Sequence, residues 1–189
     1  NTVYDCFVCG SDQVWNYEIT DFDKAYFLDF VDDNIKKNSY AASFGISSIP
    51  GNQSDEYKNF LRDINNLSVR EEQGKKIIQK LINRDAEVVL DPTMLIEKKK
   101  WELLARDFNK KNYILVYRFS SSKNMDMFIK QLSKETNCEI VIISYSLKRT
   151  LKATYEKVVG PLEFLGLFKN ARYVVTNSFH GTAFSINLN

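Results

Sequence analysis

Short apolar runs alternate with amphipathic helical segments along this chain, and this alternation constrains the fold more than any other feature. Seven runs of strand type occur in the 189 residues. Two of them, Tyr113 to Tyr117 (YILVY) and Glu139 to Ile143 (EIVII), are almost continuously apolar, which is typical of strands covered by helices on both faces. The pattern predicts an α/β fold with parallel sheets.

The strand–helix pattern pauses once and then restarts. The pause contains Lys98 to Lys100, a helical segment around Trp101 and the polar stretch Asn109 to Asn112. We therefore predict two domains, residues 1–108 with the linker and residues 109–189. The chain starts without Met, ends inside a predicted helix and has 7 Gly and 3 Pro, so we expect a fragment of a longer protein. The basic segment 148–157 is predicted to be irregular.

Composition excludes several classes of protein. The formal net charge of +2 is too small for a nucleic-acid-binding surface, and no apolar run is long enough to span a bilayer, so we expect a cytoplasmic protein. Cys6 and Cys9 have C-x-x-C spacing, but residues three apart on a strand point to opposite faces, which favours packing over metal binding or redox chemistry. No metal-ligand cluster or cofactor motif is present, and we expect neither a metal nor a cofactor.

Polar or glycine-containing turns follow most of the predicted strands. Ligands of open parallel sheets bind outside the carboxyl ends of the strands, so the turns predict a ligand cleft at that edge. The predicted substrate-binding residues are Gly10, Ser11, Asp12, Ser43, Gly45, Arg70, Asn177, Ser178 and Gly181.

The turn Thr176 to Gly181 (TNSFHG) contains His180, which is the chain's single histidine. It joins a predicted strand to a predicted helix, and backbone N–H groups at such a junction bind anions. A lone histidine is ordinarily a surface or core residue. The similar turns at other strand ends favour a functional role here.

Two roles stay open for each of three other residues. Arg70 follows a strand, where its guanidinium is suited to a phosphate or carboxylate, or to an ion pair with an acid such as Asp91. Asp12 is suited to a sugar hydroxyl or to capping its turn. Trp15 is predicted to be a core residue, and the alternative is an aromatic platform for a sugar.

Five segments, in this order and at these spacings, resemble the polysaccharide pyruvyl transferase family. They are GSDQVWN (10–16), SYAASFG (39–45), LSVREEQG (67–74), VVLDPTMLI (88–96) and GPLEFLGLFKNARYVVTNSFHGTAFSI (160–186). The resemblance covers essentially the whole chain. It implies two Rossmann-like domains of the GT-B glycosyltransferase type, of which this chain lacks the start of the first and the end of the second.

The resemblance also implies an activity. Members of the family move the enolpyruvyl group of phosphoenolpyruvate onto a sugar as a ketal, usually in bacterial surface polysaccharide synthesis. His180 then fills the acid/base position, Arg70 binds the donor anion, and the backbone N–H groups of Phe179 to Thr182 add to that anion site. Many members have arginine where this chain has Ser178.

The implied partner is a glycan or lipid-linked sugar acceptor, with no nucleic acid. A peripheral association with the glycan-assembly machinery is compatible with the absence of a membrane-spanning run. The alternatives are a nucleotide-sugar-dependent glycosyltransferase of the same fold and a non-catalytic carbohydrate-binding relative.

Overall fold

The computed structural model describes residues 4–32, 34–144 and 149–188. It confirms the α/β class with parallel sheets. The chain divides into two compact units, Asn1–Pro92 and Thr93–Asn189. Each unit contains parallel strands and helices of its own.

The first unit holds four short parallel strands. Its elements are β1 (Cys6–Cys9), α1 (Tyr17–Thr20), a 3-10 helix (Lys24–Phe27), β2 (Lys36–Ser39), a 3-10 helix (Gly51–Gln53), α2 (Ser54–Asp63), β3 (Ser68–Val69), α3 (Glu72–Ile82) and β4 (Glu87–Val88). β1 pairs with β2, and β3 pairs with β4. Bridges from Asn38 to Asn66 and from Ala42 to Val69 join β2 to β3, so the strands follow the order β1-β2-β3-β4.

An aromatic cluster forms the core of the first unit. The Trp15 ring is fully buried and stacks on Phe27 at a centroid distance of 5.8 Å, which confirms the prediction that Trp15 is a core residue. Tyr57 of α2 packs edge-on to Phe27 and donates its hydroxyl hydrogen to the Trp15 carbonyl at 2.7 Å. The buried tyrosine hydroxyl therefore has the partner that its burial requires. These contacts fix the loop after β1 against α2.

The second unit is built around one four-stranded parallel sheet. A 3-10 helix (Pro92–Met94) spans the point at which the chain passes from the first unit to the second. The elements of the second unit are α4 (Lys98–Leu104), β5 (Tyr113–Tyr117), α5 (Lys123–Thr136), β6 (Glu139–Ile143), β7 (Thr154–Glu156), α6 (Pro161–Asn170), β8 (Tyr173–Thr176) and α7 (Phe179–Leu188). The strand order is β7-β6-β5-β8. The chain moves from β5 outward to β7 and then returns to the other side of β5. The ends of β5 and β8 therefore lie at the reversal of strand order, where open α/β sheets bind ligands.

Residues of β5 alternate between two buried layers, as a strand covered on both faces requires. Leu115 packs in one cluster with Phe168 of α6 and Phe184 of α7. Ile114 and its neighbours on the opposite face pack with Ile129 of α5. The predicted bounds of the YILVY and EIVII strands are both confirmed.

The prediction of an irregular segment at 148–157 is wrong for its second half. Thr154–Glu156 forms β7, an edge strand that pairs with β6 through Val141 and Thr154, Ile142 and Tyr155, and Ile143 and Glu156. Tyr155 stabilises the entry to this strand, because its hydroxyl donates to the Leu151 carbonyl at 3.1 Å. Edge strands need no continuous apolar run, so the sequence pattern did not indicate it. Lys148 lies outside the described residues.

The predicted domain boundary, between residues 108 and 109, falls inside the second compact unit. Helix α4 belongs to that unit, since it packs against α6 and α7. Asn187 of α7 donates from Nδ2 to the carbonyls of Thr93 and Ile96, at 3.0 Å each, and so holds the segment before α4.

Among the described residues, no helix has both the length and the apolarity needed to cross a membrane. The GT-B arrangement of two Rossmann-like domains stays a prediction.

Candidate functional site

The TNSFHG turn continues directly from β8 into α7. Thr176, the last residue of β8, donates its hydroxyl hydrogen to the Tyr117 carbonyl at 2.6 Å and accepts from the Ser178 N–H at 3.0 Å. The Ser178 hydroxyl accepts from the Gly181 N–H at 3.3 Å, and its carbonyl accepts from the Thr182 N–H at 3.0 Å. Ser178 is thus the N-cap of α7, and it is only 2 % exposed.

Gly181 is the point of closest approach between α7 and the end of β8. A Cβ atom at this position would lie 2.2 Å from the Thr176 Oγ1 and 3.1 Å from a ring carbon of Tyr117. Only glycine allows this contact. Ser178 and Gly181, both predicted as substrate-binding residues, therefore shape the turn through contacts inside the protein. Their contact with substrate stays a prediction.

His180 lies in the first turn of α7 and is half-buried. Its ring meets the Phe179 ring edge-on at a centroid distance of 5.4 Å, and Phe179 is 44 % exposed. His180 is therefore partly accessible to solvent, and the Phe179 ring lies against its imidazole. An imidazole can both donate and accept a proton, so a histidine at this position is suited to general acid–base chemistry.

Asn177 connects the end of β8 to the loop that follows β5. Its Oδ1 accepts from the Phe119 N–H at 3.1 Å, and its Nδ2 donates to both the carbonyl and the hydroxyl oxygen of Ser120 at 3.2 Å. β5 and β8 end side by side, with Tyr117 paired to Thr176. The amide of Asn177 therefore fixes the shape of the sheet edge beside His180.

We predict that Asn177→Ala loosens this edge without unfolding the unit. The backbone N–H of Phe119 loses its acceptor, and net hydrogen-bond contributions suggest a cost of about 1 kcal/mol. Hydrogen exchange measured by mass spectrometry should show faster exchange in the segment around Phe119 and unchanged exchange in α5. Asn124→Ala, at an exposed position of α5, is the matched control. Unchanged exchange around Phe119 would contradict the bridging role of Asn177.

The first unit holds a second group of predicted site residues, centred on Arg70 at the end of β3. Its guanidinium lies 3.1 Å from the Asp91 carboxylate and 3.5 Å from that of Asp12. The side chains of Arg70 and Asp91 are only 5 % and 1 % exposed, whereas that of Asp12 is 60 % exposed. Ser11 donates its hydroxyl hydrogen to Asp91 at 2.6 Å. The structure therefore contains the ion pair that was one of the two roles open for Arg70.

A guanidinium has five N–H donors, so the ion pair and the binding of a donor anion are compatible roles. The role of Arg70 toward substrate stays a prediction. Asp12, in the left-handed region at φ 75°, presents its carboxylate at the exposed side of this group. Gly10 is also exposed, and a Cβ atom there would meet no other atom within 4 Å.

Ser43 and Gly45 form a tight turn in the same unit. The fully buried Ser43 hydroxyl accepts from the Gly45 N–H at 3.1 Å and donates to the Glu71 carboxylate. Gly45 has φ +62°, and a Cβ atom there would lie 1.9 Å from the side-chain oxygen of Gln13. The turn thus requires glycine. Ser43 holds Glu71, and a direct contact of Ser43 or Gly45 with substrate stays a prediction.

Two residues that the sequence reasoning did not assign to a site lie beside the predicted ones. Glu71 receives the Ser43 hydrogen bond, and Phe119 is 77 % exposed in the turn after β5. Glu71 directly follows Arg70, so its position at a strand end was a usable signal. An aromatic residue inside an otherwise polar turn was the signal for Phe119.

The two cysteines differ in burial, as residues on opposite faces do: Cys9 is buried, whereas Cys6 is exposed, so the predicted packing role is confirmed for Cys9 alone. Cys9 donates to the Tyr26 carbonyl at 2.9 Å, and burial raises the pKa of its thiol to about 11. A protonated, packed thiol is a poor nucleophile and metal ligand. Within the described ranges, no group of three or more His, Cys, Asp or Glu side chains is arranged to hold a metal ion.

Comparison with known proteins adds one finding. The sequence model of the family described as Polysaccharide pyruvyl transferase matches residues 2–189. The chain has no significant match among curated proteins or among solved structures. The match includes every residue of both site groups, from Gly10 in the first unit to Gly181 in the second. Because the family model matches essentially the whole chain, this chain belongs to the polysaccharide pyruvyl transferases, a family of transferase enzymes.

Proposed function

We propose that the protein transfers the pyruvyl group of phosphoenolpyruvate to a sugar, as a ketal, during the synthesis of a bacterial surface polysaccharide. The observation that carries this proposal is the family match over residues 2–189. The acceptor is a glycan or a lipid-linked sugar. In this proposal the enzyme acts in the cytoplasm, in peripheral contact with the glycan-assembly machinery, and has two GT-B-type domains.

The transfer needs one proton to be delivered and two to be removed. Protonation of the methylene carbon of phosphoenolpyruvate makes its C2 electrophilic, and one sugar hydroxyl adds to C2 with loss of its proton. A second hydroxyl then replaces phosphate at C2, and its proton leaves with phosphate or to solvent. The methylene becomes a methyl group, and the sugar carries a cyclic ketal.

His180 supplies the proton in this proposal. It is half-buried in the first turn of α7, which follows β8 directly, and β8 ends beside β5. Arg70 is assigned to the carboxylate or phosphate of the donor, because its guanidinium can hold two oxygens of one anion. Ser178 occupies the N-cap of α7 and brings no positive charge next to His180.

A thermal-shift panel on the full-length protein tests the choice of donor. We expect millimolar phosphoenolpyruvate to raise the melting temperature, because a ligand that binds the folded state stabilises it by mass action. Inorganic phosphate and pyruvate serve as controls for the separate halves of the donor. Stabilisation by uridine or guanosine diphosphate sugars, with no response to phosphoenolpyruvate, would replace the proposal with a nucleotide-sugar-dependent glycosyltransferase.

A further inference from the structure

A pocket opens at the carboxyl edge of the second unit's sheet, where β5 and β6 end. We call it the β5–β6 pocket. Its volume is about 260 Å³, and its lining includes Arg118, Phe119 and Ser120 from the loop after β5, together with Ser144 after β6 and Thr150 and Tyr155 before and within β7. Sites for drug-sized ligands occupy about 300–1,000 Å³, so this pocket suits a ligand of one small ring.

The charged side chain in the lining of the pocket is already paired within the protein. Among the described residues that line it, Arg118 is the one with a charged side chain. Its guanidinium pairs with Asp126 of α5 and donates to the Thr150 hydroxyl at 2.9 Å. The side chains of Arg118 and Asp126 are 8 % and 18 % exposed. Because the Asp126 carboxylate offsets the Arg118 charge, a phosphate or carboxylate gains little from Arg118. A second guanidinium, that of Arg149, lies over the Tyr155 ring at 5.4 Å from its centroid, where the aromatic face engages it.

The chemistry of the walls combines an exposed aromatic face with hydroxyl groups. Phe119 is 77 % exposed, and its ring meets that of Tyr117 edge-on at a centroid distance of 5.7 Å. Ser120 and Ser121 are exposed beside it. A pyranose has apolar C–H faces and a rim of hydroxyls, so an aromatic platform with hydroxyl partners complements it. A few polar groups among apolar walls are the usual composition of a small-molecule site.

The platform is held in place by the TNSFHG turn. The backbone N–H of Phe119 donates to Asn177 Oδ1 at 3.1 Å, and Ser120 accepts two hydrogen bonds from Asn177 Nδ2. Asn177 lies three positions before His180. The side chain of Asn177 therefore holds the pocket wall, and Asn177 itself belongs to the turn that contains His180. A ring bound in the pocket lies on the same sheet edge as His180.

From these observations we infer that the β5–β6 pocket binds one neutral pyranose ring of the acceptor, with Phe119 as its stacking platform. The inference rests on the proposed function, because it assigns the pocket to the acceptor of that reaction. The anionic donor binds elsewhere, so acceptor binding and donor binding are separable by mutation.

Saturation-transfer NMR on the full-length protein tests the inference with named probes. The probes are the methyl glycosides of glucose, galactose, mannose, N-acetylglucosamine and N-acetylmannosamine, with phosphoenolpyruvate as competitor. We expect at least one glycoside to give a signal that phosphoenolpyruvate does not displace. Phe119→Ala should weaken its binding about tenfold, because the aromatic contact is lost. Phe119→Trp should retain it.

Phe128→Ala is the matched control, since Phe128 is also an exposed phenylalanine of this unit, at 55 %, but lies on α5 outside the pocket. It should leave glycoside binding unchanged. The inference is overturned if no glycoside signal depends on Phe119, or if Phe119→Ala weakens the binding of phosphoenolpyruvate and leaves glycoside binding unchanged. If phosphoenolpyruvate itself does not bind the wild-type protein, the proposed function fails, whichever result the glycosides give.

Discussion

Replacing His180 with glutamine should lower the turnover of phosphoenolpyruvate by about 10²–10⁴-fold, the usual contribution of a positioned general acid or base. Glutamine keeps a side chain of similar length that forms hydrogen bonds, but it cannot deliver a proton to the methylene carbon. The variant should fold normally, because His180 is half-buried in the first turn of α7 and glutamine is compatible with a helix. The measurement is phosphate release in the presence of an acceptor.

Ile186→Gln provides the matched control for this variant. It introduces the same side chain into the same helix, α7, at a position that is 66 % exposed. We expect turnover and melting temperature close to those of the wild type. Wild-type turnover by the His180→Gln variant would remove the histidine from the acid/base role.

Replacing Arg70 with methionine should have the largest effect on stability. Asp91 has 1 % of its side chain exposed and would lose the guanidinium that lies 3.1 Å away, keeping the hydrogen bond from Ser11. Removing one partner of a buried ion pair costs about 3–5 kcal/mol, because the remaining charge stays buried. Urea unfolding measures this cost.

Each compact unit has its own tryptophan, Trp15 in the first and Trp101 in the second. A Trp101→Phe background therefore allows the fluorescence of the fully buried Trp15 to report on the unit that contains Arg70. We expect Trp15 fluorescence to show a lower unfolding midpoint in urea for the Arg70→Met variant. An unchanged unfolding midpoint would contradict the buried ion pair.

The double variant Arg70→Met with Asp91→Asn separates the two roles of Arg70. The amide removes the buried charge, so more than half of the lost stability should return. Phosphoenolpyruvate binding should not return, because a charge-assisted hydrogen bond to the donor contributes about 1.5–3 kcal/mol, or roughly tenfold or more in affinity. Recovery of binding together with stability would mean that Arg70 acts only through the fold.

The strongly patterned parts of the fold could be predicted from the sequence. β5 and β6 are apolar at nearly every position because both faces are buried, and their bounds were predicted to the residue. The bounds of β3 and β4 were not predictable in the same way, because each strand spans only two residues and the apolar run in the sequence extends beyond the paired segment. β7 was missed because the edge strand Thr154–Glu156 has no apolar run of its own.

The site residues were predictable as strand-end residues, and Asp91 was named as a possible partner of Arg70, but the other partners were not predicted. Ser43 and Glu71 are 28 positions apart, and Asn177 and Ser120 are 57 positions apart. Such contacts depend on which strands become neighbours, and a single sequence does not contain the strand order. The Ser178 hydroxyl makes a local contact, with the Gly181 N–H three residues ahead, that caps α7, and its predicted contact with substrate stays a prediction.

A transfer assay with the full-length protein tests the central claim most directly. The acceptor is surface polysaccharide from the source cells, freed of its acid-labile ketals by mild acid, and the donor is phosphoenolpyruvate. The predicted result is phosphate release that requires the polysaccharide, accompanied by a new ketal methyl signal in its proton NMR spectrum. Absence of both with the wild-type protein, while a nucleotide sugar is consumed under the same conditions, would contradict the account.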